Sequence, residues 1–130
     1  MPKVTQLAVT LANKPGTLAP VCSTLGKAGV NISALFAPEI RGRGKVRLLV
    51  DNLGKAKEAL KAAKIRFSEE EAIAIELDNK ANAGAEIAEK LSQAKINIKY
   101  AYATAAEGSA KATLILSVPN VAKALAVLGG

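Results

Sequence analysis

The sequence repeats one pattern at a constant offset of 66 residues. Asn13-Lys14 recurs as Asn79-Lys80, and Asn31-Ile32 recurs as Asn97-Ile98. The same offset, without gaps, also pairs Leu11 with Leu77, Leu25 with Leu91, Gly42 with Gly108, Lys45 with Lys111 and Leu48 with Leu114. We interpret the pattern as a tandem duplication, which restricts this chain of 130 residues to folds made from two copies of one small unit.

The spacing of apolar residues predicts the same order of elements in each copy: strand, helix, strand, strand, helix. The first helix follows Gly16, and Pro20 is tolerated in it because it falls in the first turn. Ile65–Ser68 is predicted to add a closing strand to the first copy. The other predicted strands are Gln6–Leu11, Ile32–Ala37, Lys45–Val50, Ala72–Leu77, Ile98–Ala103 and Lys111–Ser117.

This order of elements predicts the fold class α+β, with two tandem ferredoxin-like βαββαβ modules, antiparallel sheets and helices on one face. The second module lacks its last strand in this prediction. The modules are expected at residues 1–69 and 70–130, and both are small enough that we expect them to fold as one unit. The sheet edge left unpaired would be covered by Pro2–Thr5 or by another chain, which predicts a homodimer or higher oligomer.

The composition argues against catalysis and against a metal centre. Histidine, the commonest general base and a common metal ligand, is absent. The single cysteine, Cys22, falls on the inward side of the predicted helix and is expected to be a core thiol. We therefore predict a protein that is not an enzyme and has no cofactor. Without a long apolar run or a signal peptide, the chain is expected to be cytoplasmic and to make no membrane contact.

The formal net charge of +7 raises the possibility of a nucleic-acid partner. Most of the lysines lie on predicted helices, where a solvated face explains them better. The alternative function is an RNA-binding ferredoxin-like module, because Arg41–Arg47 superficially resembles a basic, glycine-containing RNA-binding signature. That signature requires aromatic residues on the central strands, and Gln6–Leu11 and Lys45–Val50 carry none. Nucleic-acid binding is therefore expected to be weak.

Two asparagines bracket the first predicted helix. Asn13 precedes a Pro15-Gly16 turn that lets the backbone approach a ligand closely, and Asn31 follows the helix. The start of a helix attracts a carboxylate, and an asparagine amide can both donate and accept hydrogen bonds. The arrangement suits an amino-acid-like ligand. Taken singly, each asparagine is better explained as a turn residue; their recurrence in both copies favours a ligand, although descent from one ancestral turn would also repeat them.

The segment NKPGTLAPVCSTLGKAGVNI resembles the opening of an ACT domain, the amino-acid-sensing module of allosteric enzymes such as phosphoglycerate dehydrogenase. DNKANAGAEIAEKLSQAKINI resembles a second, degraded copy, and together the resemblance covers residues from about Val4 to Leu128. The family implies modules that pair side by side and bind an amino acid at the seam. The chain is thus expected to regulate amino-acid metabolism, either as a binding subunit of a separate metabolic enzyme or as a freestanding sensor.

In the serine-binding members, the asparagine before Pro-Gly and the asparagine after the helix contact the ligand from opposite modules. One site would then combine the Asn13 loop with Asn97, and a weaker site would combine the Asn79 loop with Asn31. A histidine of those members corresponds to Leu11 here, and Ala81-Asn82 replaces Pro-Gly in the second loop. The resemblance implies the following ligand-binding residues: Asn13, Lys14, Pro15, Gly16, Thr17, Leu18, Asn31, Ile32, Asn79, Asn97 and Ile98.

Overall fold

The computed structural model describes residues 3–12, 14–38 and 41–129. These residues form a mixed α+β fold with six strands and four helices. In chain order the elements are β1 (Lys3–Ala12), α1 (Ala19–Lys27), β2 (Ile32–Phe36), β3 (Arg43–Val50), α2 (Leu53–Ala62), β4 (Ser68–Asp78), α3 (Ala83–Gln93), β5 (Tyr100–Thr104), β6 (Lys111–Ser117) and α4 (Val121–Val127).

The chain divides into two compact units. The N-terminal unit is Thr5–Glu70, and the C-terminal unit comprises residues 3–4 and 71–129 of the described chain. The first two described residues therefore belong with the second half of the sequence, and Lys3 Nζ lies 2.8 Å from Glu71 Oε2. Pro2, which we expected to help cover the sheet edge, lies outside the described residues. The division into two functional modules at residues 1–69 and 70–130 stays a prediction.

The N-terminal unit has its strands in the order β2-β3-β1, with antiparallel neighbours. Leu7 stands opposite Leu48, and Val9 stands opposite Val46. Because alternate residues of a strand point to the same face, these side chains form one apolar surface. Helices α1 and α2 contact one another and supply the apolar residues that complete the core: Val21, Leu25, Ala56 and Leu60.

The C-terminal unit repeats this arrangement with the strands β4-β6-β5. Ile73 stands opposite Leu116 and Ile75 opposite Leu114. Helix α3 contributes Ile87 and Leu91 to the core, to which Ala124 of α4 and Leu128, the residue after α4, also belong. Helices α2 and α4 begin alike, because the side chains of Asn52 and Asn120 each accept a hydrogen bond from the backbone N–H three residues later.

The strand registers correct the gapless repeat. From β1 to β4 the offset is 66 residues, but Leu48 in β3 corresponds to Leu116 in β6, an offset of 68. The pairs Leu48–Leu114 and Lys45–Lys111 are therefore not structurally equivalent. Gly42 and Gly108 both have positive φ, at 77° and 76°, so the two additional residues follow Gly108 in the second hairpin. A hairpin loop tolerates an insertion because the extra residues stay at the surface. The side chains of the paired strands then keep their orientation toward the core.

A second correction concerns the strand predicted at Ile65–Ser68. The structure has one continuous strand, β4, which begins at Ser68 and already includes Ala72–Leu77. The run of three glutamates does not interrupt it because each carboxylate has a cationic partner, which offsets the repulsion among the glutamates. The nitrogen–oxygen distances are 3.3 Å for Lys57–Glu69, 2.9 Å for Arg47–Glu70, 3.1 Å for Lys45–Glu70 and 2.8 Å for Lys3–Glu71.

The helices are short. The longest is α3, with 11 residues. Within the described parts of the chain, no helix is both long enough and apolar enough to cross a membrane.

Candidate functional site

The N-terminal unit contains a pocket at the loop that joins β1 to α1. Its volume is about 330 Å³, close to the lower end of the range of roughly 300–1,000 Å³ found for small-molecule sites. The end of β1, the loop, the start of α1, the residues after β2 and the start of β3 all contribute to it. The lining residues are Leu11, Ala12, Lys14, Gly16, Thr17, Leu18, Ala19, Ala37, Pro38, Gly44 and Val46.

The loop is held in shape by hydrogen bonds and by one glycine. The hydroxyl group of Thr17 donates to the carbonyl oxygen of Ala12 at 2.8 Å and lies 3.1 Å from that of Lys14. The backbone N–H of Lys14 donates to the same Ala12 carbonyl at 3.0 Å. Gly16 has φ of +84°, in the left-handed region that favours glycine. Pro15 is exposed, and Asn13 lies outside the described residues.

The lining of this loop pocket combines one positive charge with aliphatic side chains. Lys14 is exposed, and its ammonium group forms no ion pair with a carboxylate of the described residues. Leu11, Leu18 and Val46 are apolar and at least half-buried. Such a pocket can bind a carboxylate through Lys14 and accommodate an apolar group against the wall.

The corresponding corner of the C-terminal unit has a different electrostatic arrangement. Asp78 takes the position of Ala12, and Lys111 takes that of Arg43. Asp78 Oδ1 lies 2.6 Å from Lys111 Nζ, and Asp78 Oδ2 lies 3.9 Å from Lys80 Nζ. The hydrogen bond from Lys111, and then the charges of both lysines, lower the pKa of Asp78, and the same hydrogen bond raises the pKa of Lys111. Lys80, the lysine of the second loop, thus has a carboxylate of the protein nearby, whereas Lys14 has none among the described residues.

Asn79, the asparagine of the second loop, forms hydrogen bonds within the protein. The side-chain amide of Asn79 donates to the carbonyl oxygen of Ser109 at 2.9 Å, and its backbone N–H donates to that of Ala110, also at 2.9 Å. Asn82, which replaces the second residue of Pro-Gly, has φ of +73° and keeps the left-handed bend. Helix α3 begins directly after it, so the replacement lengthens the helix by two residues at its start relative to α1.

Asn31 and Asn97 follow the first helix of their units, so each is separated by that helix from the loop that precedes it. The backbone N–H of Asn31 donates to Asp51 Oδ1 at 3.0 Å, and its carbonyl oxygen accepts from the Asp51 N–H at 3.1 Å. Asn31 and Ile32 are not among the residues that line the loop pocket. Asn97 is exposed. Ile32 and Ile98 are half-buried and each packs against the core of its own unit.

The pocket includes residues that the sequence did not suggest. Ala37 and Pro38 follow β2, whereas Gly44 and Val46 belong to β3. The signal for Gly44 and Val46 was the predicted ferredoxin-like plan: β3 pairs antiparallel with β1, which brings its first residues beside the last residues of β1. Gly44 could have been inferred from that pairing, since it stands opposite Leu11, which also lines the pocket.

Within the described ranges, neither a metal centre nor an unpaired buried polar atom accompanies the loop pocket. No group of histidine, cysteine, aspartate and glutamate within them could hold a metal ion. Cys22 is half-buried rather than fully enclosed. No buried polar side-chain atom of the described chain lacks a hydrogen-bond partner, so none is left over for a ligand in the core.

The fold has counterparts among solved structures. Protein BT0572 from Bacteroides thetaiotaomicron is 30% identical, with a TM-score of 0.88 over 97% of this chain and 86% of that one. The regulatory subunit of aspartate kinase from Thermus thermophilus is 16% identical, with a TM-score of 0.65 over 98% of this chain and 95% of that one. The subunit from Thermus flavus is 17% identical, with a TM-score of 0.64 over 95% and 87%. No curated protein matches the sequence.

The family assignment follows from the sequence. The pattern of the ACT domain pair matches residues 2–128. The identity to the Bacteroides protein extends over nearly the whole chain. The two aspartate kinase subunits add agreement in fold. This chain belongs to the ACT domain pair family.

Proposed function

We propose that this protein is a non-catalytic sensor that binds an amino acid in the loop pocket and regulates amino-acid metabolism. One observation carries the proposal: Lys14 and a wall of aliphatic residues line the same small pocket. A free amino acid has the complementary groups, because its carboxylate matches the cation and its side chain can lie on the wall. Asn13 is expected to contact the ligand as well, by resemblance to the family.

The apolar wall favours an amino acid with an aliphatic side chain. Leu11 stands where the serine-binding members of the family have a histidine, so a polar partner for a serine hydroxyl is replaced by a hydrocarbon. Leu18 and Val46 extend the same surface. Burial of an apolar ligand side chain against these residues stabilises the complex, whereas an unpaired hydroxyl there would lose its hydrogen bonds to water. Leucine, isoleucine and valine are therefore the expected ligands.

We propose, too, that the units are ferredoxin-like βαββαβ modules of the ACT type, although no strand follows α4 among the described residues. The order strand, helix, strand, strand, helix within each unit supports this, and in the N-terminal unit it is followed by residues 68–70, the first residues of β4. The pairing of Asn13 with Asn97 and of Asn79 with Asn31 stays a prediction from the family resemblance.

We propose that the protein regulates a separate metabolic enzyme. Two structures of similar fold are regulatory subunits of aspartate kinase, which supports a role of this type without naming the enzyme for this chain. The protein is also proposed to be a homodimer or higher oligomer. Sedimentation across a range of protein concentrations would test the oligomer, and a monomer throughout that range would contradict it.

Isothermal calorimetry of the purified protein against the twenty common amino acids tests the ligand. We expect an aliphatic amino acid to bind and serine to bind more weakly. Lys14→Met keeps the aliphatic part of the side chain but removes the charge, and should weaken binding by about 1.5–3 kcal/mol. Lys80→Met is the matched control in the second loop and should leave binding unchanged. The proposal fails if no amino acid binds, or if Lys14→Met binds as well as the native protein.

The RNA-binding alternative lacks a stacking surface on the central strands. The described residues of β1 and β3 include no aromatic side chain. Tyr100 and Tyr102 lie on β5 and stack on one another, with ring centroids 6.5 Å apart. Because base recognition by ferredoxin-like modules relies on rings on the central strands, this arrangement favours the amino-acid sensor.

A further inference from the structure

The positive charge of the protein is concentrated in one unit. Thr5–Glu70 contains eleven lysines and arginines against five acidic residues, whereas the rest of the chain contains seven against six. The N-terminal unit therefore carries +6 of the total net charge of +7. Such an asymmetry attracts negatively charged partners to one part of a protein surface.

Much of this charge borders an open groove of about 620 Å³ between α2 and the segment that precedes β4. We call it the basic groove, and its cations are Lys57, Lys61, Lys64 and Arg66. Lys57 is paired with Glu69, the one acidic residue in the lining, at 3.3 Å. Among the described residues the other three cations have no ion-pair partner. The groove thus presents three uncompensated positive charges.

The basic groove also has an apolar part. Ile65 and Phe67 line it and are half-buried, because each packs against the core of the N-terminal unit. Between them and α2 lies Lys64, whose φ of 60° is in the left-handed region. The corresponding residues after the other helices are Gly29 after α1, Lys95 after α3 and Gly129 after α4, all with positive φ. A lysine at this position is therefore not required by the helix end.

We propose that the basic groove binds an acidic, amphipathic peptide segment of a partner protein. Carboxylates of the segment would lie near Lys61, Lys64 and Arg66, and its apolar side chains would contact Ile65 and Phe67. A peptide fits these features better than a nucleic acid does. The ring of Phe67 is partly enclosed by the core and the carboxylate of Glu69 interrupts the row of cations, so the groove offers neither base stacking nor a continuous track for phosphates.

Fluorescence anisotropy with the full chain tests the proposal. The probe is a labelled synthetic peptide that combines glutamate with leucine, and it is compared with the same peptide carrying serine for leucine and with an oligouridylate of equal charge. The glutamate–leucine peptide should bind most tightly. Its binding should weaken as salt rises, because exposed charges are screened.

Two variants of equal charge change locate the site. Lys61→Glu combined with Arg66→Glu should weaken binding of the glutamate–leucine peptide by about tenfold or more, since two attractive contacts become repulsive. Lys90→Glu combined with Lys123→Glu, in the C-terminal unit, should change it less than about twofold. Lys64→Gly removes one charge while permitting the backbone conformation, so it should weaken binding without lowering the melting temperature.

Three results would overturn the proposal. Equal losses in the two double variants would show that net charge alone attracts the peptide. Equal binding of the serine peptide would remove the role of Ile65 and Phe67. Tighter binding of the oligouridylate, lost in Lys61→Glu combined with Arg66→Glu, would assign the groove to nucleic acid instead.

Discussion

The hydroxyl group of Thr17 donates a hydrogen bond to the carbonyl oxygen of Ala12, which ties the loop pocket to the last residue of β1. The oxygen–oxygen distance is 2.8 Å. This contact joins two residues that are five positions apart in the sequence, and Lys14 lies between them. The position of the proposed carboxylate-binding group therefore depends on a neighbouring side chain.

Replacement of Thr17 should disturb both stability and ligand binding. Thr17→Val keeps the shape of the side chain and removes the donor, so unfolding should require about 0.5–1.5 kcal/mol less free energy. Affinity for the amino acid should fall as well, because more loop ordering is then needed on binding. Thermal denaturation and calorimetry measure the two effects. Thr17→Ser retains the hydroxyl group and is the control; a Thr17→Ser variant as impaired as Thr17→Val would contradict the account.

Two glycines close in sequence should respond oppositely to alanine. Gly16 has φ of +84° with no atom near an added Cβ, so Gly16→Ala is strained by the backbone alone and should destabilise by about 1–2 kcal/mol. Gly26 lies within α1, also with free space around an added Cβ, and Gly26→Ala should stabilise by about 0.5–1 kcal/mol. Urea denaturation of both variants checks the opposite signs. A stabilising effect of Gly16→Ala would mean that the loop does not require the left-handed conformation.

The two loop asparagines should differ in their effect on ligand binding. Asn79 already donates its amide to Ser109, so Asn79→Ala should reduce stability slightly and leave amino-acid affinity unchanged. Asn13→Ala should weaken binding by about 1–3 kcal/mol if its amide is buried against the ligand. Calorimetric titration of each variant separates the two. A silent Asn13→Ala and a damaging Asn79→Ala would reverse the assignment of the site.

The stability of the N-terminal unit should depend on the ionisation of Glu70. Burial opposes ionisation, but hydrogen bonds and positive charges from Arg47 and Lys45 outweigh it and lower the pKa of this carboxyl group. Because the folded-state pKa is the lower one, the contribution is complete above the ordinary glutamate range and is lost as the pH falls through the folded-state value. Glu70→Gln should remove this loss of stability at acid pH. Glu58→Gln, on α2, is the control and should retain it. Stability curves that coincide for Glu70→Gln and the native protein would refute this.

The repeat and its elements could be predicted from the sequence because apolar periodicity repeats in both halves. The family could be recognised from the loop motif, and four of its residues, Lys14, Gly16, Thr17 and Leu18, line one pocket. The two-residue extension after Gly108 escaped detection because the glycines of both hairpins still align at the offset of 66. The continuity of β4 escaped because a run of glutamates disfavours a strand until their cationic partners are known.

The ion pairs of Asp78 have a consequence for the dose response. In the second loop, the protein's own carboxylate fills the electrostatic role that the proposed ligand has beside Lys14. In that half of the duplication the lysine already has a carboxylate beside it, and only the other half would report on the metabolite pool. The chain would then saturate along a simple hyperbola, with one molecule bound per polypeptide, and a sharper response would have to come from association between polypeptides.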